Sequence, residues 1–242
     1  MSEASGKITR IGTGVAGIDN VLKGGIPQGS QVLVIGDTGT GKTLLALTTA
    51  YTNAKSGNPI VYLAIDESKE FLIKDMKTVF PAFSDVDALV ESGNFFIVQR
   101  EIIIAIKSSD VIERFLVILE NAIKAKGANL MFIDSLGMIR ANLNDDRAFT
   151  KALALITDYL RGKGVTSIIV SETSSRSGGR VAGLYDEAMF DGIIKLGKRN
   201  EDGKVKHRAT IVKMRYTDFK ETPVQFEITP NGIASKEPQE GL

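Results

Sequence analysis

Apolar residues along the chain fall into two alternating kinds of run. Val32–Ile35, Ile60–Ile65, Phe95–Val98, Leu130–Ile133 and Val165–Val170 are short, largely apolar blocks of the kind expected for strands buried on both faces of a parallel sheet. Between them, apolar residues recur at helical spacing: Leu44, Leu45, Leu47 and Ala50; then a stretch from Ser68 toward Phe80. The same spacing returns in Val111, Phe115, Ile118, Leu119 and Ala122 behind Asp110, and in Phe149, Leu153, Ile156 and Leu160 behind Asp146. Strand and helix in alternation predict an α/β fold, a mostly parallel central sheet with helices on both faces. Ahead of this, Val15, Ile18, Val21 and Leu22 share one face of a short helix that Gly24-Gly25 stops. The end of the chain changes texture. Phe190–Leu196 and His207–Met214 read as strands joined through Asn200–Gly203, whose Asp-Gly step favours a tight hairpin. Val224–Ile228 and Ile233–Ala234 add short strands, so a C-terminal antiparallel extension is expected. No polar linker divides the sequence, which predicts one domain over residues 13–234, a flexible lead over 1–12 and a tail over 235–242.

The first strand runs into Gly36-Asp37-Thr38-Gly39-Thr40-Gly41-Lys42-Thr43, a full match to the phosphate-binding P-loop, and Leu44 continues into the helix behind it. Phosphate oxygens need converging backbone N–H groups, and glycines let the chain turn and approach closely enough to supply them. The first-turn amides and the positive end of the helix dipole add to that cradle. Residues Asp37 to Leu44 are therefore the expected nucleotide-binding stretch, with Lys42 bridging the outer phosphates and the Thr43 hydroxyl on Mg²⁺.

Ligands of open α/β sheets bind at the carboxyl ends of strands, so polar residues there carry information. Strand 130–133 delivers Asp134, which is expected to hold Mg²⁺ through water opposite Thr43, with Ser135 beside it. Strand 60–65 ends in Asp66-Glu67; either acid faces the γ-phosphate, or the pair with Ser68 caps the next helix. Strand 165–170 ends in Ser171-Glu172, where Glu172 either senses the γ-phosphate or pairs with a neighbouring base. Two stretches fit no element. The run Ile102–Ile106 is either buried or a partner surface, and the glycine-rich 173–185 segment with Arg176 and Arg180 is a candidate effector loop.

Composition narrows the chemistry. The chain has no cysteine and a single histidine, His207, so disulfides, thiolate metal sites and histidine-rich zinc sites are excluded and any metal is a hard cation on oxygen. The formal charge of +1 decides nothing about partners, but nine Lys or Arg against three acids between Lys195 and Lys220 make one strongly positive edge. Within it, Lys213, Arg215 and Thr217 alternate as if on one strand face. No signal-like apolar core opens the sequence and the apolar runs are strand-sized, which predicts a cytoplasmic protein without membrane insertion.

The order of these motifs resembles the RecA-like P-loop ATPases, and within them the KaiC-like branch of archaeal single-domain type. Further echoes are Thr13-Gly14, Gly17-Ile18-Asp19, Gly24–Gly29, Asp66-Glu67-Ser68, Phe190–Ile194, Lys213-Met214-Arg215, and Phe226–Thr229 with Gly232-Ile233. The resemblance implies a RecA-like fold binding ATP and Mg²⁺, and a homo-oligomer, a hexamer with ATP between neighbours. It also implies that Lys213 and Arg215 of one subunit act on the next subunit's γ-phosphate. The branch usually has two glutamates where this chain has Asp66-Glu67, the first positioning the attacking water. Aspartate is one methylene shorter, so slow hydrolysis is expected. Three functions fit: an ATP-dependent assembly or protein-partner switch, a recombinase-like accessory binding single-stranded DNA through Arg176, Arg180 and the basic hairpin, or a ring scaffold with little turnover.

Overall fold

The computed structural model describes residues 8–99, 111–143, 145–172, 187–201 and 203–235. The run 102–106, the cap residue Asp110, the 173–185 segment with Arg176 and Arg180, and Asp202 lie outside them.

Nine strands form the central sheet: β3 (Gln31–Gly36), β4 (Ile60–Ala64), β5 (Phe95–Val98), β6 (Leu130–Asp134), β7 (Thr166–Glu172), β8 (Gly192–Glu201), β9 (Lys204–Met214), β10 (Val224–Thr229) and β11 (Gly232–Ser235). Their order is β11-β10-β9-β8-β3-β7-β6-β4-β5. From β8 to β5 the neighbours are parallel, while β9, β10 and β11 join antiparallel, as the change of texture along the sequence predicts. Alternation along the strands gives each face its own core. Val32, Val34, Tyr62, Phe132 and Val170 pack toward α2 (Lys42–Lys55), and α3 (Lys69–Val79) adds Leu72 and Met76 on that side. Leu33, Ile35, Leu63, Ile133 and Ile169 pack on the other side toward α5 (Val111–Lys126) and α7 (Asp146–Gly162), through Phe115, Leu119, Phe149, Leu153 and Ile156.

Both ends of the domain reach further than expected. Arg10–Ile11 (β1) pairs with Ile26–Pro27 (β2), and Ile11 is buried, so these residues are not a flexible lead. Two apolar positions are too few for a periodic signal; the segment is fixed by tertiary contacts, including Arg10 Nη1 donating to Gly25 O at 3.0 Å and to Thr217 Oγ1 at 2.9 Å. Ser235, expected in the tail, ends β11 and accepts the Gly17 amide through its Oγ at 2.8 Å. α1 (Ala16–Val21) appears as expected, whereas α4 (Val86–Glu91) and α6 (Gly137–Leu143) are short helices that the periodicity does not reveal. Glu201 pairs with Lys204, so β8 and β9 are joined by two residues, and both strands overrun the end of β3. That overrun places the hairpin beside the P-loop.

Candidate nucleotide site

β3 ends at Gly36, and residues 37–41 turn the chain into α2, whose first residue is Lys42. A methyl group on Gly36 would lie 2.5 Å from Leu196 O, and Gly41 sits at φ +95°, so neither position accommodates an ordinary side chain. Thr40 is buried and turns its hydroxyl to Asp37 O at 2.8 Å, while Asp37, Thr38 and Gly39 form the exposed crest. Lys42 is 8% exposed; its Nζ donates to Asp37 O at 3.0 Å and lies 4.0 Å from Glu172 Oε1. Burial pulls the Lys42 ammonium below the usual lysine range, opposed by the surrounding carboxylates, Glu172 foremost.

Three neighbouring strands aim acids at the same place. Asp134, at the end of β6, is buried; its Oδ1 accepts from Thr43 Oγ1 at 3.4 Å and its Oδ2 from Tyr62 OH at 2.7 Å. Burial raises the Asp134 carboxyl above the ordinary range, while the Tyr62 and Thr43 hydrogen bonds hold it down. Beyond β4, Asp66 is exposed and accepts Ser135 Oγ at 2.6 Å. Glu67 is half-buried, and its carboxyl is raised by that burial and then by Asp75, Asp134 and Asp66. Ser68, not either acid, caps α3 by accepting the Phe71 amide at 3.4 Å, so both acids face a cavity of about 430 Å³. Glu172 ends β7 and accepts Thr38 Oγ1 at 3.0 Å, which makes Lys42 the neighbouring base of the second alternative.

The cavity is lined by Thr38, Gly39, Gly41, Lys42, Thr43 and Leu44 on one side, and by Asp66, Glu67, Asp134 and Glu172 on the other. Asp37 and Thr40 stand outside the lining and act through the backbone shape of the loop. Lys213 and Arg215 are elsewhere. Lys213 pairs with Ile193, which is level with Leu33, and Arg215 N donates to Asp191 O, whose own amide bonds Gln31 O. Arg215 is thus level with the start of β3, roughly 17 Å from Gly36 at ~3.3 Å per residue. The expected alternation of Lys213, Arg215 and Thr217 also ends early: β9 stops at Met214 and Tyr216 is left-handed at φ +60°.

Some contributors carry no motif. Tyr62 lies within an apolar run, and only the two-residue alternation, which sets it beside Phe132 on one face, could have marked it. Lys198 bonds Thr38 O at 3.1 Å from the overrun of β8, which sequence cannot register. Asp75, Val79 and Ile228 complete the rim.

Thr43 and Asp134 place a hydroxyl and a carboxylate side by side, and no group of three or more His, Asp or Glu able to enclose a metal occurs among the described residues. Such hard donors suit Mg²⁺, which takes one or two protein oxygens and completes its shell with phosphate and water. Across the fold, the family described as "ATPase: KaiC" matches residues 11–240. The chain belongs to this KaiC ATPase family. A UPF0273 protein of Thermotoga maritima is 30% identical over 237 residues, covering 93% of this chain and 95% of that one. The circadian clock oscillator protein KaiC of Rippkaea orientalis is 28% identical, and the match spans 44% of its length. Among solved structures, a KaiC-like protein from Pyrococcus horikoshii superposes with a TM-score of 0.82 at 29% identity, covering 96% of this chain and all of that one. The α/β, RecA-like fold and the KaiC-like kinship expected from the motifs are both borne out. No helix among the described residues is long and apolar enough to cross a membrane.

A carboxyl raised by folding leaves stability untouched below the ordinary carboxylate pKa, where it is protonated in both states, and costs stability as pH rises through its raised folded value. Asp134→Asn is therefore expected to stabilise the nucleotide-free protein at pH 7 to 8, with the gain shrinking as pH falls, while weakening Mg²⁺-dependent retention of ATP. Urea unfolding across pH, paired with nucleotide retention, checks both halves.

Proposed function

We propose that the protein binds ATP with Mg²⁺, hydrolyses it slowly, and uses nucleotide occupancy to control assembly with copies of itself. The observation that carries this reading is the meeting of Lys42, Thr43 and Asp134, from two strand ends far apart in sequence, around one cavity at the P-loop. Amides of residues 37–44 hold the phosphates and Lys42 neutralises the outer ones. Thr43 and Asp134 would hold Mg²⁺, which would supply positive charge against the phosphates.

Asp66 is the favoured water-positioning group. It is exposed and its carboxylate accepts the Ser135 hydroxyl at 2.6 Å, which fixes its position over the cavity, whereas Glu67 is half-buried among Asp75, Asp134 and Asp66. Glu67 backs it. The shorter Asp66 side chain underlies the slow turnover. Glu172 already engages Thr38 and approaches Lys42, so an arriving γ-phosphate competes with it for the same donors, and the end of β7 responds to occupancy. Lys213 and Arg215 lie too far from their own P-loop to serve it, which favours action on a neighbour's nucleotide and a ring, a hexamer in the expected form.

Two outcomes follow. Lys42→Ala is expected to weaken ATP binding about tenfold to a hundredfold, the worth of a charge-assisted bond; equal affinities of variant and parent in calorimetry would refute the site. Asp66→Asn is expected to slow phosphate release about a hundredfold or more while leaving ATP affinity within a few-fold. If Asp66→Asn turns over like the parent and Glu67→Gln is inactive, the two acids exchange roles.

A further inference from the structure

Tyr216 combines two unfavourable properties. A bulky residue at φ +60° is a backbone outlier, and Tyr216 is 71% exposed, so burial does not compensate for the strain. The surroundings hold it there: Arg215 N donates to Asp191 O at 2.7 Å on one side, and Tyr216 O accepts Arg10 Nη2 at 3.1 Å on the other. Backbone strain kept in place by its neighbours is a marker of function. At the opposite end of the sheet, α3 exposes a matching surface. Phe71, Asp75 and Val79 stand at i, i+4 and i+8 on one stripe, with Phe71 62% and Val79 54% exposed, while Leu72 and Met76 fill the core behind. Asp75 and Val79 also line the nucleotide cavity, so the stripe is continuous with its rim.

We propose that Tyr216 of one copy packs on the Phe71–Val79 stripe of the next, beside that copy's nucleotide. This rests on the trans reading of Lys213 and Arg215 and names the contact that seats them. Complementarity argues for a second copy of this chain as the occupant: Tyr216 is flanked by Arg215 and Arg10, and the stripe carries Asp75 beside the rim acids Asp66 and Glu67. Cation meets acid and aromatic ring meets apolar stripe in one docking, and the anionic phosphates come within reach of Arg215 in the same step. A tyrosine beside arginine is the kind of anchor that dominates interfaces. The two surfaces lie at opposite ends of the sheet, so the contact is head-to-tail and repeats around a ring.

The chain has no cysteine, which gives cross-linking no background. Lys74→Cys/Asp218→Cys, exposed positions that flank the contact and leave Phe71 and Tyr216 in place, treated with a short bis-maleimide in Mg²⁺ and ATP, is expected to give a ladder of linked species beyond the dimer. Either single variant should stop at the dimer. Tyr216→Gly, which removes the strain, is expected to unfold at no lower urea concentration than the parent, yet to need at least tenfold more protein for ATP-driven assembly by light scattering. If the parent assembles with ATP but the double variant gives no ladder, or Tyr216→Gly assembles like the parent, this contact is wrong and the trans site stands without it. A parent that stays monomeric with ATP overturns both.

Discussion

A buried lysine whose nearest carboxylate among the described residues is 4.0 Å away is the constraint on which the rest of the site depends. Lys42 rests on one backbone carbonyl, and burial already draws its ammonium toward the neutral form. Burying a cation is costly unless an anion compensates it closely. The P-loop amides, the N-terminus of α2 and Lys42 all favour the same occupant, a phosphate chain. That demand explains why β3 lies in the middle of the sheet. Only a central strand has neighbours on both sides to bring Glu172, Asp134 and Lys198 to one loop.

The acids oppose this attraction. Asp66, Glu67, Asp75 and Asp134 crowd the cavity; burial raises both Glu67 and Asp134, Asp75, Asp134 and Asp66 raise Glu67 further, and Asp66 adds to the rise at Asp134. A polyanion entering alone would meet repulsion, and a hard cation held at Asp134 would relieve it. Lys198 and the rest of the β8–β9 overrun bring positive charge beside the P-loop, and Arg10, Lys213 and Arg215 form a second basic group at the other end of the strands. Asp191, buried and accepting from Arg161, Arg215 and the Gln31 amide, fixes part of that basic end to the base of β3.

The fold was legible because its strands are buried on both faces and read as near-continuous apolar blocks, and because the P-loop pattern sits between a strand and a helix. The acids at the ends of β4, β6 and β7 were legible for the same topological reason. What escaped depends on tertiary contact. No local pattern says that Tyr62 turns its hydroxyl to Asp134, or that Arg10 ties β1 to the segment after β9. Lys213 and Arg215 were legible as a basic pair, but their level in the sheet follows from the β8–β9 register, and the strand expected to carry both stops at Met214.

The central claim is that each nucleotide site is completed by the next subunit. Lys213→Ala/Arg215→Ala subunits keep Lys42, and Lys42→Ala subunits keep both distal cations, so mixing the two kinds and following phosphate release tests it most directly. Neither variant is expected to turn over alone, and the mixture is expected to recover activity as mixed assemblies form. Demonstrated co-assembly without recovered phosphate release would contradict it.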